Sequence, residues 1–308
     1  MDVLVTGATG YVGGRLVPRL LAEGHTVRCL TRRPDALDDA PWRDRVQVIG
    51  GDATDEGAVL RAADGADAAY FLIHGMQSRM ARLLEREVAT AVAFREGCAA
   101  AGVRRIVYLG GLVDEDDLAR TSPHMYARQQ VGQTLRAGDV PVTELRAGIV
   151  LGAGSASFEL LSAAANAPVT LAAPMTASRT QPVGEDDLLD VLVAVLDDPR
   201  ARWETLEIGG ADVLTYRELV ARLRSALGRR PAAVLPVPYL PPEIAATAAA
   251  VLTGLDPSLV LPLLRSAELD AVVVDHRATQ LYPDLLAGGV DDALRDALTA
   301  RRTATTAA

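Results

Sequence analysis

The chain has 308 residues, enough for one large domain or two fused ones, and it is 49% hydrophobic but only 4% aromatic, so Ala, Val and Leu must build its core. A net charge of -9 repels a polyphosphate backbone and argues against nucleic acid as a partner. All 31 basic residues are arginine, which removes Schiff-base lysines and lysine proton donors from the available chemistry.

Taken in chain order, short runs rich in Val, Ile and Leu and bounded by Gly, Asp or Pro predict strands at Val3–Val5, Thr26–Leu30, Val46–Ile49, Ala68–Ile73, Ile106–Leu109 and Val142–Leu145. Amphipathic segments predict helices over Gly14–Glu23, Glu56–Ala63, Arg79–Ala101 and Pro123–Ala137. Strand and helix in alternation imply an α/β fold, a doubly wound parallel sheet of Rossmann type with its ligand beyond the carboxyl ends of the strands. After Ile149 the pattern loosens, with a helix over Asp186–Leu196, a strand at Leu206–Ile208 and a proline-punctuated apolar stretch from Pro231 to Pro262. Within it Ile244–Leu255 is too short for a membrane span and is expected to be a helix over a substrate pocket. The segment Arg301–Ala308 is expected to fray. Cys29 and Cys98 fall in a strand and a helix far apart, which does not indicate a disulfide framework. Nothing before Val3 reads as a secretory leader, so a cytoplasmic protein is expected.

The strongest motif is Thr6-Gly7-Ala8-Thr9-Gly10-Tyr11-Val12-Gly13, lying between the first strand and the first helix. Gly7 permits the tight turn, Gly10 the close approach of a pyrophosphate and Gly13 the packing of helix on sheet, while N–H groups from Thr9 to Val12 are expected to face the anion. The second strand ends in Thr31-Arg32-Arg33-Pro34 with no carboxylate, so Arg32 and Arg33 are expected to meet a 2′-phosphate, favouring NADP (as NADPH) over NAD. Asp52 and Ala53 should flank the adenine, or else serve as a helix cap, and Leu72, Ile73 and His74 should lie beside the riboses. No metal site is expected. The expected division is residues 1–150 as the dinucleotide-binding domain, with 183–202 packed back on it, and 151–182 with 203–308 as a substrate-binding region.

These residues resemble the short-chain dehydrogenase/reductase superfamily, in its atypical branch near the NmrA-like proteins. The spacing of Gly7, Gly10 and Gly13, the acid Asp52 and the segment Leu145-Arg146-Ala147-Gly148-Ile149-Val150-Leu151-Gly152 carry the likeness. The resemblance implies that the Leu145–Gly152 segment, with Ala147 and Ile149, closes over the nicotinamide, and that Leu109 and Gly110 belong to the cofactor site. It also implies a Ser, then a Tyr and a Lys four residues apart. Here Gly110-Gly111 follows Leu109 where the serine belongs, and the next helix reads Pro123-His124-Met125-Tyr126-Ala127-Arg128-Gln129-Gln130. Two registers fit: His124 with Arg128 in the Tyr and Lys places, which is preferred, or Tyr126 with Gln130. Arg128 can hold ribose hydroxyls without shuttling protons, and His124 or Tyr126 can donate one. The resemblance extends loosely to actinobacterial tailoring ketoreductases of aromatic polyketides such as angucyclinones. It implies an NADPH-dependent ketoreductase acting on a large apolar small molecule. The rival reading is a non-catalytic dinucleotide sensor of the NmrA type. A redox-neutral epimerase holding NAD is disfavoured by Arg32 and Arg33.

Overall fold

The computed structural model describes residues 1–74, 80–112, 121–238 and 240–307, with backbone alone at 80–83 and 305–307. In chain order the main elements begin with β1 (Asp2–Thr6), α1 (Tyr11–Ala22), β2 (Thr26–Thr31), β3 (Gln47–Gly50), α2 (Glu56–Ala63), β4 (Ala68–Phe71), α3 (Met80–Ala100), β5 (Ile106–Gly111), α4 (Pro123–Arg136) and β6 (Val142–Ala147). They continue with β7 (Val150–Leu151), α5 (Ala156–Asn166), β8 (Val169–Ala172), β9 (Arg179–Thr180), β10 (Val183–Gly184), α6 (Glu185–Asp197) and β11 (Thr205–Ile208). The last are β12 (Leu214–Thr215), α7 (Tyr216–Ala226), β13 (Ala233–Pro236), α8 (Pro242–Thr253), α9 (Pro257–Ser266), α10 (Arg277–Leu281) and α11 (Val290–Ala307).

Seven strands form one sheet in the order β3-β2-β1-β4-β5-β6-β11, and β1 pairs in parallel with both β2 and β4. This is the doubly wound α/β architecture expected of the alternating pattern. A central strand covered on both faces must be apolar throughout, and Val3, Leu4 and Val5 are all fully buried. Phe71 meets Phe94 and Tyr108 edge-on at 5.0 and 5.9 Å, contacts that add about 0.5–1.5 kcal/mol each beyond the area they bury.

Two compact units emerge, one of residues 1–111, 127–146 and 189–206, the other of 112–126, 147–188 and 207–308. The sequence assigns 121–126 and 147–150 to the first domain, whereas compactness groups them with the second unit. In the first unit, residues 189–206 are tied to the sheet by polar bonds. Tyr70 Oη donates to the Leu192 carbonyl at 2.7 Å, and Arg105 donates to the carbonyls of Val195, Leu196 and Asp198. The second unit is built on Phe158, Leu219, Leu223 and Leu294, with a capping box of Thr215 and Glu218 starting α7.

Several boundaries depart from the sequence reading, and β5 and β6 each run two residues longer than expected. Helix α1 begins at Tyr11 rather than Gly14, because Gly10 takes the extended backbone of an N-cap. Strand β4 stops at Phe71, two residues early. The expected fraying from Arg301 is replaced by helix as far as Ala307, where Arg301 pairs with Glu159 at 2.7 Å. Arg79, where the pattern starts the third helix, lies outside the described residues.

Candidate dinucleotide site

The strand order reverses between β1 and β4, and in such sheets the crevice at the carboxyl ends of those two strands is where a ligand fits. The glycine turn occupies that place in the first unit. Gly7 has φ +78°, and a Cβ on it would stand 2.5 Å from the Leu72 carbonyl oxygen at the exit of β4. A Cβ on Gly13 would stand 2.3 Å from the Gly7 carbonyl oxygen, so the helix can seat on the turn only without one. Thr9 and Gly10 are exposed, leaving bare backbone at the mouth of α1. One expectation is corrected here: the Gly10 N–H is spent on the Gly7 carbonyl at 2.9 Å, closing the turn, and does not face an anion. The sequence reading also missed Arg15, whose guanidinium lies 3.9 Å over the Tyr11 ring; the i,i+4 spacing was the available signal.

At the ends of β2 and β3, Arg32 and Arg33 are both exposed, and the Arg33 N–H donates to the Thr31 hydroxyl at 3.2 Å. Asp52 accepts from the Thr54 N–H at 3.0 Å. Burial works to raise the Asp52 pKa, but the bonds from Thr54 and the nearby Arg32 and Arg86 outweigh it and hold the carboxyl below its usual value. Asp52 therefore stays ionised beside Arg32. Ala53 and Leu72 are buried, whereas Ile73 and His74 are half-buried beyond β4.

At the end of β5, Leu109 and Gly110 are buried, and Arg128 of α4 donates from Nη2 to the Leu109 carbonyl at 2.8 Å. Tyr108 Oη donates to the Arg128 carbonyl, also at 2.8 Å, fixing the helix to the strand from the other side. Burial pushes the Tyr108 phenol up to about 12, with Arg128 opposing, so it remains a neutral donor. Arg128 Nε is buried and makes no hydrogen bond among the described residues. Gln130, its counterpart in the other register, is spent on Gln133 at the surface. The sheet's carboxyl edge thus receives the guanidinium of Arg128 and not the amide of Gln130.

This geometry, a backbone cradle that any side chain would fill with arginines at the neighbouring strand end, fits a dinucleotide. A family model described as NAD(P)H-binding matches residues 7–199, well over half of the chain. The chain belongs to that NAD(P)H-binding family. This NAD(P)H-binding chain is 29% identical over 273 residues to the (4-alkanoyl-5-oxo-2,5-dihydrofuran-3-yl)methyl phosphate reductase of Streptomyces griseus subsp. griseus, covering 86% of each protein. It is 30% identical over 238 residues to the ceramide reductase of Caulobacter vibrioides, covering 74% of this chain and 71% of that one. A match of 37% identity to the 3 beta-hydroxysteroid dehydrogenase/Delta 5-->4-isomerase of Mycobacterium tuberculosis runs over 115 residues and spans only 30% of that relative's length. The Citrobacter sp. triphenylmethane reductase complexed with NADP(H) shares the fold, with a TM-score of 0.72 at 18% identity over 96% of this chain and 100% of the other.

The remaining candidate residues of this NAD(P)H-binding protein belong to the second unit. His124 is buried in the first turn of α4, whereas Tyr126 is 37% exposed. Ala147 and Ile149 flank the end of β6, and their carbonyls accept from the Leu112 and Val183 N–H groups. Helix α8 forms as expected, but it carries an open apolar face with Ile244, Val251 and Leu252 at 61%, 81% and 74% exposure. Among the described residues no helix is long and apolar enough to cross a membrane, and no group of His, Cys, Asp and Glu could hold a metal ion.

Proposed function

We propose that this chain is an NADPH-dependent ketoreductase acting on a large apolar carbonyl compound, an aromatic polyketide being one candidate, without a Ser–Tyr–Lys triad. The observation that carries the reading is Arg128, anchored to Leu109 at the sheet's carboxyl edge with Nε–H donating capacity left over. The nicotinamide, when bound, supplies the hydride. The chain's own work is then to hold and to protonate. The amides of the glycine turn receive the pyrophosphate, and Arg32 and Arg33 receive the 2′-phosphate, which favours NADPH over NADH. Arg128 holds the nicotinamide ribose and, being always charged, cannot give up a proton. That task falls to His124, one helical turn earlier on α4, or to Tyr126. Leu72, Ile73 and His74 would line the riboses. The names of the Streptomyces and Caulobacter relatives, both reductases, support the reaction class.

The test mixes purified protein with NADPH and a panel of quinones and aryl ketones, following loss of the reduced nicotinamide absorbance. Turnover is expected, with His124→Gln lowering kcat by about 100-fold and Tyr126→Phe by less. Tight NADPH binding with inertness toward the whole panel would favour a dinucleotide sensor, to be sought by nucleotide-dependent capture of a protein partner.

A further inference from the structure

Glu144 has no part in that reading, yet three elements of the first unit are shaped around it. Its carboxylate on β6 is 1% exposed, Oε1 accepting from Arg146 Nε at 3.0 Å and Oε2 meeting Arg136. A Cβ on Gly132 of α4 would stand 2.5 Å from Glu144 Oε1 and 2.7 Å from its Cδ, and one on Gly110 of β5 would stand 3.2 Å from Oε1. Gly132 lies one helical turn after Arg128, and Gly110 follows Leu109 directly. The carboxylate therefore fills the gap between helix and strand beside the two residues whose bond seats the guanidinium.

We propose that Glu144 is a positioning residue for Arg128, a charged strut that sets the spacing of α4 from β5. The inference rests on Arg128 contacting the cofactor. A buried carboxylate is costly to desolvate and persists where guanidinium groups compensate it. Arg136 approaches from α4 and Arg146 from β6, so the helix is held to the sheet by charge and held off it by the bulk of the carboxylate. At that spacing Arg128 Nη2 reaches the Leu109 oxygen while Tyr108 Oη reaches the Arg128 carbonyl, both at 2.8 Å. An apolar residue of similar size would fill the gap but leave two guanidinium groups without this partner. Glutamine would set an NH2 against one of them, since both carboxylate oxygens face arginines.

The experiment follows the Arg128 Nε–H resonance by 15N NMR of the full chain without nucleotide, assigned by its disappearance in Arg128→Gln. In Gly132→Ala and in Glu144→Gln the resonance is expected to move and its exchange with water to quicken by about tenfold or more, the two changes meeting at one contact. Gly110→Ala is the milder version should Gly132→Ala fail to fold, and the same displacement is expected. An unmoved resonance in the folded variants overturns the strut. With NADPH present, Gly132→Ala is expected to weaken binding about tenfold in the parent and to cost nothing further in Arg128→Gln. Equal losses in both backgrounds also overturn it. If Arg128→Gln alone leaves NADPH affinity and turnover unchanged, the cofactor role of Arg128 fails, and the nucleotide-free resonance still decides the strut.

Discussion

The glycine turn at the mouth of α1 and the outer face of α8 are opposites in construction. At the turn, two positions exclude even a methyl group, because a Cβ on Gly7 or Gly13 would stand within 2.5 Å of a backbone oxygen. On α8, Val251 and Leu252 extend large apolar side chains into open space. A nucleotide pyrophosphate has one shape, and a backbone built to receive it has little freedom to vary. An apolar substrate surface needs only area, so many sequences satisfy it. The contrast predicts that substitutions at the turn damage cofactor binding without regard to substrate, and that substitutions on α8 alter substrate handling or nothing.

The largest effect is expected at Gly13. Alanine there must push α1 away from the Gly7 carbonyl, which is backbone and cannot rotate aside, so NADPH binding by calorimetry should weaken by about 100-fold or more. Retained affinity would mean that the turn relaxes and tolerates a side chain as α8 does.

Next comes Arg32→Ala. Losing a charge-assisted contact to the 2′-phosphate should cost roughly 10- to 100-fold in NADPH affinity, with NADH affinity changed by less than about threefold. Equal losses for both nucleotides would place Arg32 elsewhere than at the phosphate and remove the preference for NADPH.

What was legible in the sequence follows the same division. The turn could be read because its requirements are local: three glycines lie within seven residues, directly between a strand and the helix they open. Even there the Gly10 N–H was misassigned, since its bond to Gly7 depends on how the turn closes and not on which residues are present. Two registers for α4 remained open because i,i+4 spacing suits His124 with Arg128 as well as Tyr126 with Gln130. In the structure Arg128 bonds to the end of β5 and Gln130 to Gln133. Glu144 was invisible for a different reason. It is defined by β5, α4 and β6 together, and no spacing along one element announces a carboxylate lodged against two glycines. Fraying after Arg301 was expected from position alone, and the ion pair to Glu159 lies 142 residues away in sequence.

A smaller effect is expected on α8. Val251→Ser with Leu252→Gln removes apolar surface that is already in water, so the midpoint of unfolding should shift little, within about 0.5 kcal/mol. If that face meets the substrate, KM for the more apolar ketones should rise several-fold while NADPH affinity stays fixed. Unchanged KM across the panel would separate α8 from substrate binding.

The smallest effect concerns the pH dependence of stability at Asp52. Its folded pKa lies below the unfolded carboxylate value of about 3.9, because the Thr54 bonds with Arg32 and Arg86 outweigh the opposing effect of burial. Folding therefore favours the ionised form, and the contribution is complete above the unfolded pKa and is lost as pH falls through the folded one. For a largely solvated carboxylate the amount is roughly a few tenths of a kcal/mol. Urea midpoints of the parent and Asp52→Asn should accordingly differ most above about pH 5 and converge toward pH 3, the parent being the more stable where they differ. Raising the salt concentration should shrink the part owed to Arg32 and Arg86 and spare the part owed to the Thr54 N–H, because a short hydrogen bond is screened far less than charges at a distance. A gap that persists undiminished at pH 3 would assign the loss in Asp52→Asn to shape rather than charge, and the carboxylate would then act through its bond from the Thr54 N–H with no electrical tie to Arg32.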